Sequence, residues 1–139
     1  MPDTVTFQIP KNRRHVPTAR HRVQKTLADW GVDPDLSDAI TLAANELVTN
    51  SVTHCKIPLA RVEITLRLTP DHLHLTVADP DRDHLPHLTP VTLEDEGGRG
   101  LVLVDRLASD WGHATGPYTK HVWATFTLHP ARACAPTDL

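Results

Sequence analysis

Apolar residues in this chain follow two periods, and the change from one to the other marks its elements. In "VTFQI", Val5, Phe7 and Ile9 alternate with polar residues, which predicts a short strand. From His15 to Trp30 the spacing lengthens: Val16, Ala19, Val23, Leu27 and Trp30 recur as on one face of a helix, and Gly31 follows as a C-terminal stop. "DPDLSDAI" opens a second helix, with Asp33 as its cap and Pro34 at the first helical position. Leu36, Ile40, Ala43 and Leu47 form its apolar stripe, and Pro58 lies beyond its end. Period two then returns in "RVEITLRL", with Val62, Ile64, Leu66 and Leu68 on one face. "TPDH" makes a turn, and "LHLTVAD" alternates back through Leu73, Leu75 and Val77. The other face of this hairpin is polar, so the sheet is covered on one side only. "GLVLVDRLA" predicts a short helix opening on glycines, "SDWGHA" a strand, and "KHVWATFTL" a last strand carrying Val122, Ala124, Phe126 and Leu128. Helices set among mostly antiparallel strands predict an α/β (α+β) two-layer sandwich, with a mixed, largely antiparallel sheet and helices on one face.

Composition narrows the class. The chain has 139 residues, 22% charged and 40% hydrophobic, which fits one soluble domain able to bury a core without staples. We read residues 1–130 as that domain and 131–139 as a C-terminal tail. A formal net charge of -3 argues against nucleic acid as a direct partner. Cys55 and Cys134 show neither metal-type nor disulfide-type spacing and read as reduced thiols. No apolar run approaches the ~20 residues of a membrane helix, and "MPDTVTFQIP" has no signal pattern. The expected compartment is the cytoplasm. The stretch from Asp79 to Arg99, about 20 residues with three prolines and no sustained period, is a loop of the length that is usually functional or disordered.

The second helix raises the main chemical question. Along the line of Ala43 and Leu47, the face continues through Asn50 and His54, and Glu46 lies one turn before Asn50. Either the C-terminal half of the helix emerges into solvent, or a carboxylate and an amide are held together to bind Mg²⁺, which takes oxygen ligands and keeps several waters. In "GGRGLVLV", glycines at a helix start leave backbone N–H groups at the positive end of the dipole, beside Arg99. This is an anion site or simply a loop running into a helix. The segment is neither a Walker A loop nor a dinucleotide fingerprint. Asp79, at the end of a predicted strand, could accept a hydrogen bond from an adenine amino group, or could be a turn aspartate before proline. Asp79, Asp81 and Asp83 mimic the start of a calcium loop, but His84 and Pro90 stand where that loop needs Gly and Glu. His72 and His74 share one strand face without the spacing of a zinc motif. The basic segment "KNRRHVPTARHRVQK" is either a docking surface for an acidic partner or a solvated helix face.

Taken in order, "NELVTNSVTH", a strand ending in Asp79, a variable loop and "GGRGL" resemble the GHKL, or Bergerat-fold, ATPases, which include gyrase, histidine kinases and MutL. The size of the chain and its run of boxes look most like the bacterial anti-sigma factor serine/threonine kinases. The resemblance covers roughly Thr4 to Leu128. It implies Mg-ATP as ligand, Asn50 as the Mg²⁺ ligand and Glu46 as general base toward an attacking serine hydroxyl. Asp79 would read the adenine amino group, and Gly98, Arg99, Gly100 and Leu101 would lie along the phosphates. It further places Thr125 on the strand where the fold sets a threonine near the nucleotide, and Arg20 on the surface shown to the partner. The implied partners are an anti-anti-sigma protein of the STAS type as acceptor and a sigma factor as target, and the relatives commonly form homodimers. One departure stands out: the family's first glycine box usually reads Asp-x-Gly-x-Gly, whereas "DPDRD" here has no glycine. The alternative reading is therefore a module of the same fold that binds nucleotide or partner without transfer.

Overall fold

The computed structural model describes residues 3–81, 96–117 and 119–128. Its elements follow the periods of the sequence: β1 (Thr4–Pro10), a single 3₁₀ turn (Arg13–His15), α1 (Val16–Asp29), α2 (Pro34–His54), β2 (Arg61–Leu68), β3 (His72–Asp79), α3 (Glu96–Leu107), β4 (Asp110–Thr115) and β5 (Lys120–Thr127). The strands form one sheet in the order β1-β2-β3-β5-β4. All four neighbouring pairs are antiparallel, so the sheet expected to be mostly antiparallel is wholly so among the described residues.

Period two fixes which side of the sheet is dry. Val62, Ile64 and Leu66 of β2, Leu73, Leu75 and Val77 of β3, and Val122, Ala124 and Phe126 of β5 are buried. They meet Val23 and Leu27 of α1, Ile40, Ala44, Leu47 and Val48 of α2, and Leu101 and Val104 of α3 in one core. A one-residue slip of any of these strands would put its whole apolar set in water, so the register is strongly specified. The other face carries Thr6, Thr65, Arg67, His74, Thr76 and Thr125, all exposed or half-exposed. Burial, with the charges of Arg67 and His72, holds His74 below the ordinary histidine range.

The helix ends are set by local chemistry. Gly31 takes φ +72°, a left-handed conformation that suits glycine and turns the chain out of α1. The Leu36 N–H donates to Oδ2 of Asp33 at 3.3 Å, with Pro34 in the first turn. Asp33→Ala is expected to cost about 1 kcal/mol by removing this cap; urea unfolding of the two proteins measures it. α3 differs from expectation at its start. It begins at Glu96, so the glycines lie inside its first turns and do not precede it. The segment 82–95, most of the expected loop, and the tail 131–139 with Cys134 lie outside the described residues. Among the described residues no helix is long and apolar enough to cross a membrane.

Candidate functional site

α2 is a 21-residue helix whose buried side is apolar, Thr41 apart, until its last turns. Ala43 and Leu47 are buried as the stripe predicts, whereas Asn50 is half-exposed and His54 exposed. The polar residue that enters the core is their neighbour Ser51, only 6% exposed. Glu46 and Asn50 flank this buried line, one turn apart and both half-exposed. Within the described residues no hydrogen bond is made by either side chain, so their oxygens are open to a ligand. As a donor set, an amide oxygen and a carboxylate suit a hard, oxygen-preferring cation that keeps waters of its own. The described residues contain no cluster of three or more His, Cys, Asp or Glu side chains. A fully protein-ligated transition metal is therefore not the arrangement seen among them.

Asp79 closes β3 and faces the helices, and its side chain is 1% exposed. Three donors surround it. The Ser51 hydroxyl donates to Oδ2. The Lys120 ammonium lies 3.5 Å from the same oxygen, with its side chain 5% exposed. The Asp81 N–H donates to Oδ1 at 2.9 Å. The sheet dictates this meeting, because Asp79 and Lys120 are direct partners in the β3–β5 register. Asp81, also buried, accepts the Lys56 N–H at 2.6 Å and so ties the end of β3 to the segment following α2. Cys55, which caps α2 beside this network, is buried, and burial pushes its thiol pKa up. It is an inert thiol by that criterion.

The remaining expected residues divide. Gly98, Arg99 and Gly100 are backbone positions in the first turns of α3; Gly98 is among the leading positions whose N–H groups have no partner within the helix, whereas the Gly100 N–H falls one turn after the Glu96 carbonyl. The Arg99 side chain lies outside what is described. Leu101 is 4% exposed and packs into the core, so its side chain holds α3 against the protein. Thr125 is not brought to the site. It lies on the opposite face of the sheet, where its Oγ1 is 3.3 Å from Nδ1 of His74 and it lines a shallow groove with Arg67 and Trp123. The β5 residue that does reach Asp79 is Lys120. Arg20, half-buried on α1, donates to Oδ1 of Asn45 on α2 at 3.3 Å, next to Glu46 in sequence.

Ser51 and Lys120 were not singled out by the sequence. For Lys120 a signal existed: it has the same parity as the inward residues Val122, Ala124 and Phe126. Ser51 stands four residues after Leu47, on the inner line of α2, so spacing would have found it as well.

Residues 9–126 match the family model of the histidine kinase-like ATPase domain. No curated protein matches the chain. Among solved structures, the chain is similar to the RsbU and RsbW domains of a Mycobacterium tuberculosis protein, with a TM-score of 0.67 and 20% identity over 92% of this chain and 33% of that one. It is also similar to the histidine kinase domain of a blue-light-activated histidine kinase from Erythrobacter litoralis, with a TM-score of 0.54 and 20% identity over 70% of this chain and 47% of that one. The chain thus spans about a third of the first structure and under half of the second. At this identity the likeness is one of fold.

Proposed function

The chain belongs to the histidine kinase-like ATPase family, and on that premise we propose that it binds Mg-ATP and phosphorylates a serine of a STAS-type anti-anti-sigma protein, as a regulator of the anti-sigma factor kinase kind. The observation that carries this reading is the end of α2. One helix presents Glu46 and Asn50 half-exposed, while Ser51, the next residue, reaches the carboxylate at the end of β3. The helix in this reading carries the base and the cation ligand, and Ser51 ties it to the nucleobase acceptor on β3.

In this reading Asn50 would hold Mg²⁺ through its amide oxygen, Asp79 would meet the base, and the leading N–H groups of α3 would face phosphate oxygens. The bound ion would supply charge neutralisation along the phosphates, which is most of what phosphoryl transfer asks of a protein. Glu46 orients the acceptor hydroxyl and takes its proton. Gly98, Gly100 and Arg99 belong to the phosphate side, with Leu101 anchoring their helix. Arg20 belongs to the partner surface, where a sigma factor docks, and a homodimer fits the same family pattern. Nothing in this scheme calls for nucleic acid or a membrane, and the cytoplasm is its natural compartment.

A second reading, a binding module without transfer, is favoured by one observation: Asp79 is already engaged by three donors. Calorimetry with ATP, with and without Mg²⁺, tests the first reading. Wild type is expected to bind in a Mg²⁺-dependent way. Asn50→Ala should lose about tenfold in affinity with Mg²⁺ present and little without it, as removal of one charge-assisted contact implies. Equal affinity of both proteins in Mg²⁺ would remove Asn50 from the site.

A further inference from the structure

Asp79 is the residue a nucleobase would have to address, yet the protein addresses it first. Lys120 stands directly opposite it on β5 and places an ammonium 3.5 Å from Oδ2. The Ser51 hydroxyl takes the same oxygen, and the Asp81 N–H takes Oδ1. An ionised carboxylate has about four acceptor sites, so three donors leave one. Both side chains of the ion pair are almost fully buried, at 5% and 1% exposure. A base amino group therefore approaches an acceptor that is neutralised, desolvated and already bonded.

We propose that Lys120 is a specificity-determining residue of the nucleotide site: its ammonium stands in for a nucleobase amino group at Asp79 and sets the preference among purine nucleotides. This rests on the reading of Asp79 as the base-binding carboxylate. While the pair is intact, the 6-amino group of adenine has no advantage at this position. A 6-oxo purine can instead accept from the Lys120 ammonium, so the pair accepts hypoxanthine at least as well as adenine. Freed of Lys120, Asp79 is an acceptor without a cation, and it favours the purine that carries a donor. A site built to bond one group rejects the analogue lacking it, because its own buried partner is then left unpaired.

The test compares ATP with inosine triphosphate, which carries oxygen in place of the amino group, by competition binding in Mg²⁺. Three proteins are needed: wild type, Lys120→Ala, and the double variant Asp79→Asn with Lys120→Met. The double variant removes both charges of the Asp79–Lys120 pair, keeps the stem of the lysine in methionine, and offers an amide that can accept from an amino group or donate to a 6-oxo group. Circular dichroism confirms that each is folded. Wild type is expected to bind the two nucleotides within about threefold of each other, and Lys120→Ala to bind ATP about tenfold tighter than wild type and about tenfold better than inosine triphosphate, the size of one regained hydrogen bond. The double variant, whose amide can serve either base, should bind ATP about tenfold tighter than wild type without rejecting inosine triphosphate, and that tightening decides the matter if Lys120→Ala does not fold. Loss of a cation alone would weaken a triphosphate anion, so tightening cannot come from net charge. If wild type binds ATP but no folded variant binds it tighter, Lys120 has no such role and the nucleotide reading stands. If no folded protein binds either nucleotide, the nucleotide reading itself falls, and this inference with it.

Discussion

Glu46→Gln is expected to leave ATP affinity within about twofold of wild type while lowering phosphoryl transfer by about 10²–10⁴-fold, the usual contribution of a positioned base. Glutamine keeps the shape of the side chain and its capacity to accept a hydrogen bond, but it cannot hold a proton taken from the acceptor. Glu46 is half-exposed and makes no hydrogen bond within the described residues, so the substitution has no structural contact there to break. Stability should stay within about 0.5 kcal/mol. The check is transfer of labelled phosphate from ATP to candidate STAS-type acceptors, followed by the chemistry of the product. Acid-stable phosphoserine, lost in the variant, supports the kinase reading. An acid-labile phosphohistidine would make the chain a detached histidine-kinase module instead. Transfer at the wild-type rate in the variant would take Glu46 out of the base role, and no transfer in wild type would favour the binding-module reading.

The elements that were legible in the sequence are those whose signal is local. The β2–β3 hairpin is written in the alternation of Val62, Ile64, Leu66 and Leu68 with Leu73, Leu75 and Val77 around a turn, and α2 announces itself with Asp33 and Pro34. Glu46 and Asn50 were visible because helical spacing makes them neighbours without any tertiary information. What the sequence did not make plain is non-local. Lys120 reads as a surface residue, since lysine is almost never fully buried unless it is paired. Its partner lies far back in the chain and becomes a neighbour only through the antiparallel pairing of β3 with β5. Thr125 was placed near the nucleotide by resemblance, although period two already sets it on the other face from its buried neighbours Ala124 and Phe126. The start of α3 was hidden for a different reason. Glycine is a poor helix former, so the reading began the helix only at Gly100, whereas the structure carries it back to Glu96.

Lys120→Met is expected to destabilise the protein by about 3–5 kcal/mol, the cost of leaving one member of a buried ion pair uncompensated. The figure applies because both side chains are nearly inaccessible and no solvent screens the remaining carboxylate. Adding Asp79→Asn should recover most of the loss, since an apolar and amide pair of similar volume carries no buried charge. Urea unfolding of wild type, the two single variants and the double variant closes a cycle, and a coupling energy well above about 0.5 kcal/mol is the expected result for residues in contact. A Lys120→Met protein within about 1 kcal/mol of wild type would mean that the pair is solvated in solution and that Asp79 is open to a ligand without any rearrangement. The proposed role in specificity gives the same variants a second, opposite signature. A protein that has lost stability by losing Lys120 should regain it with ATP, because a ligand that binds only the folded state stabilises by about 4 kcal/mol at a thousand times its dissociation constant. Wild type, holding its own cation at Asp79, should gain less from the same concentration. Stability lost without nucleotide and restored by it separates a lysine that competes with the base from one that only braces β3 against β5.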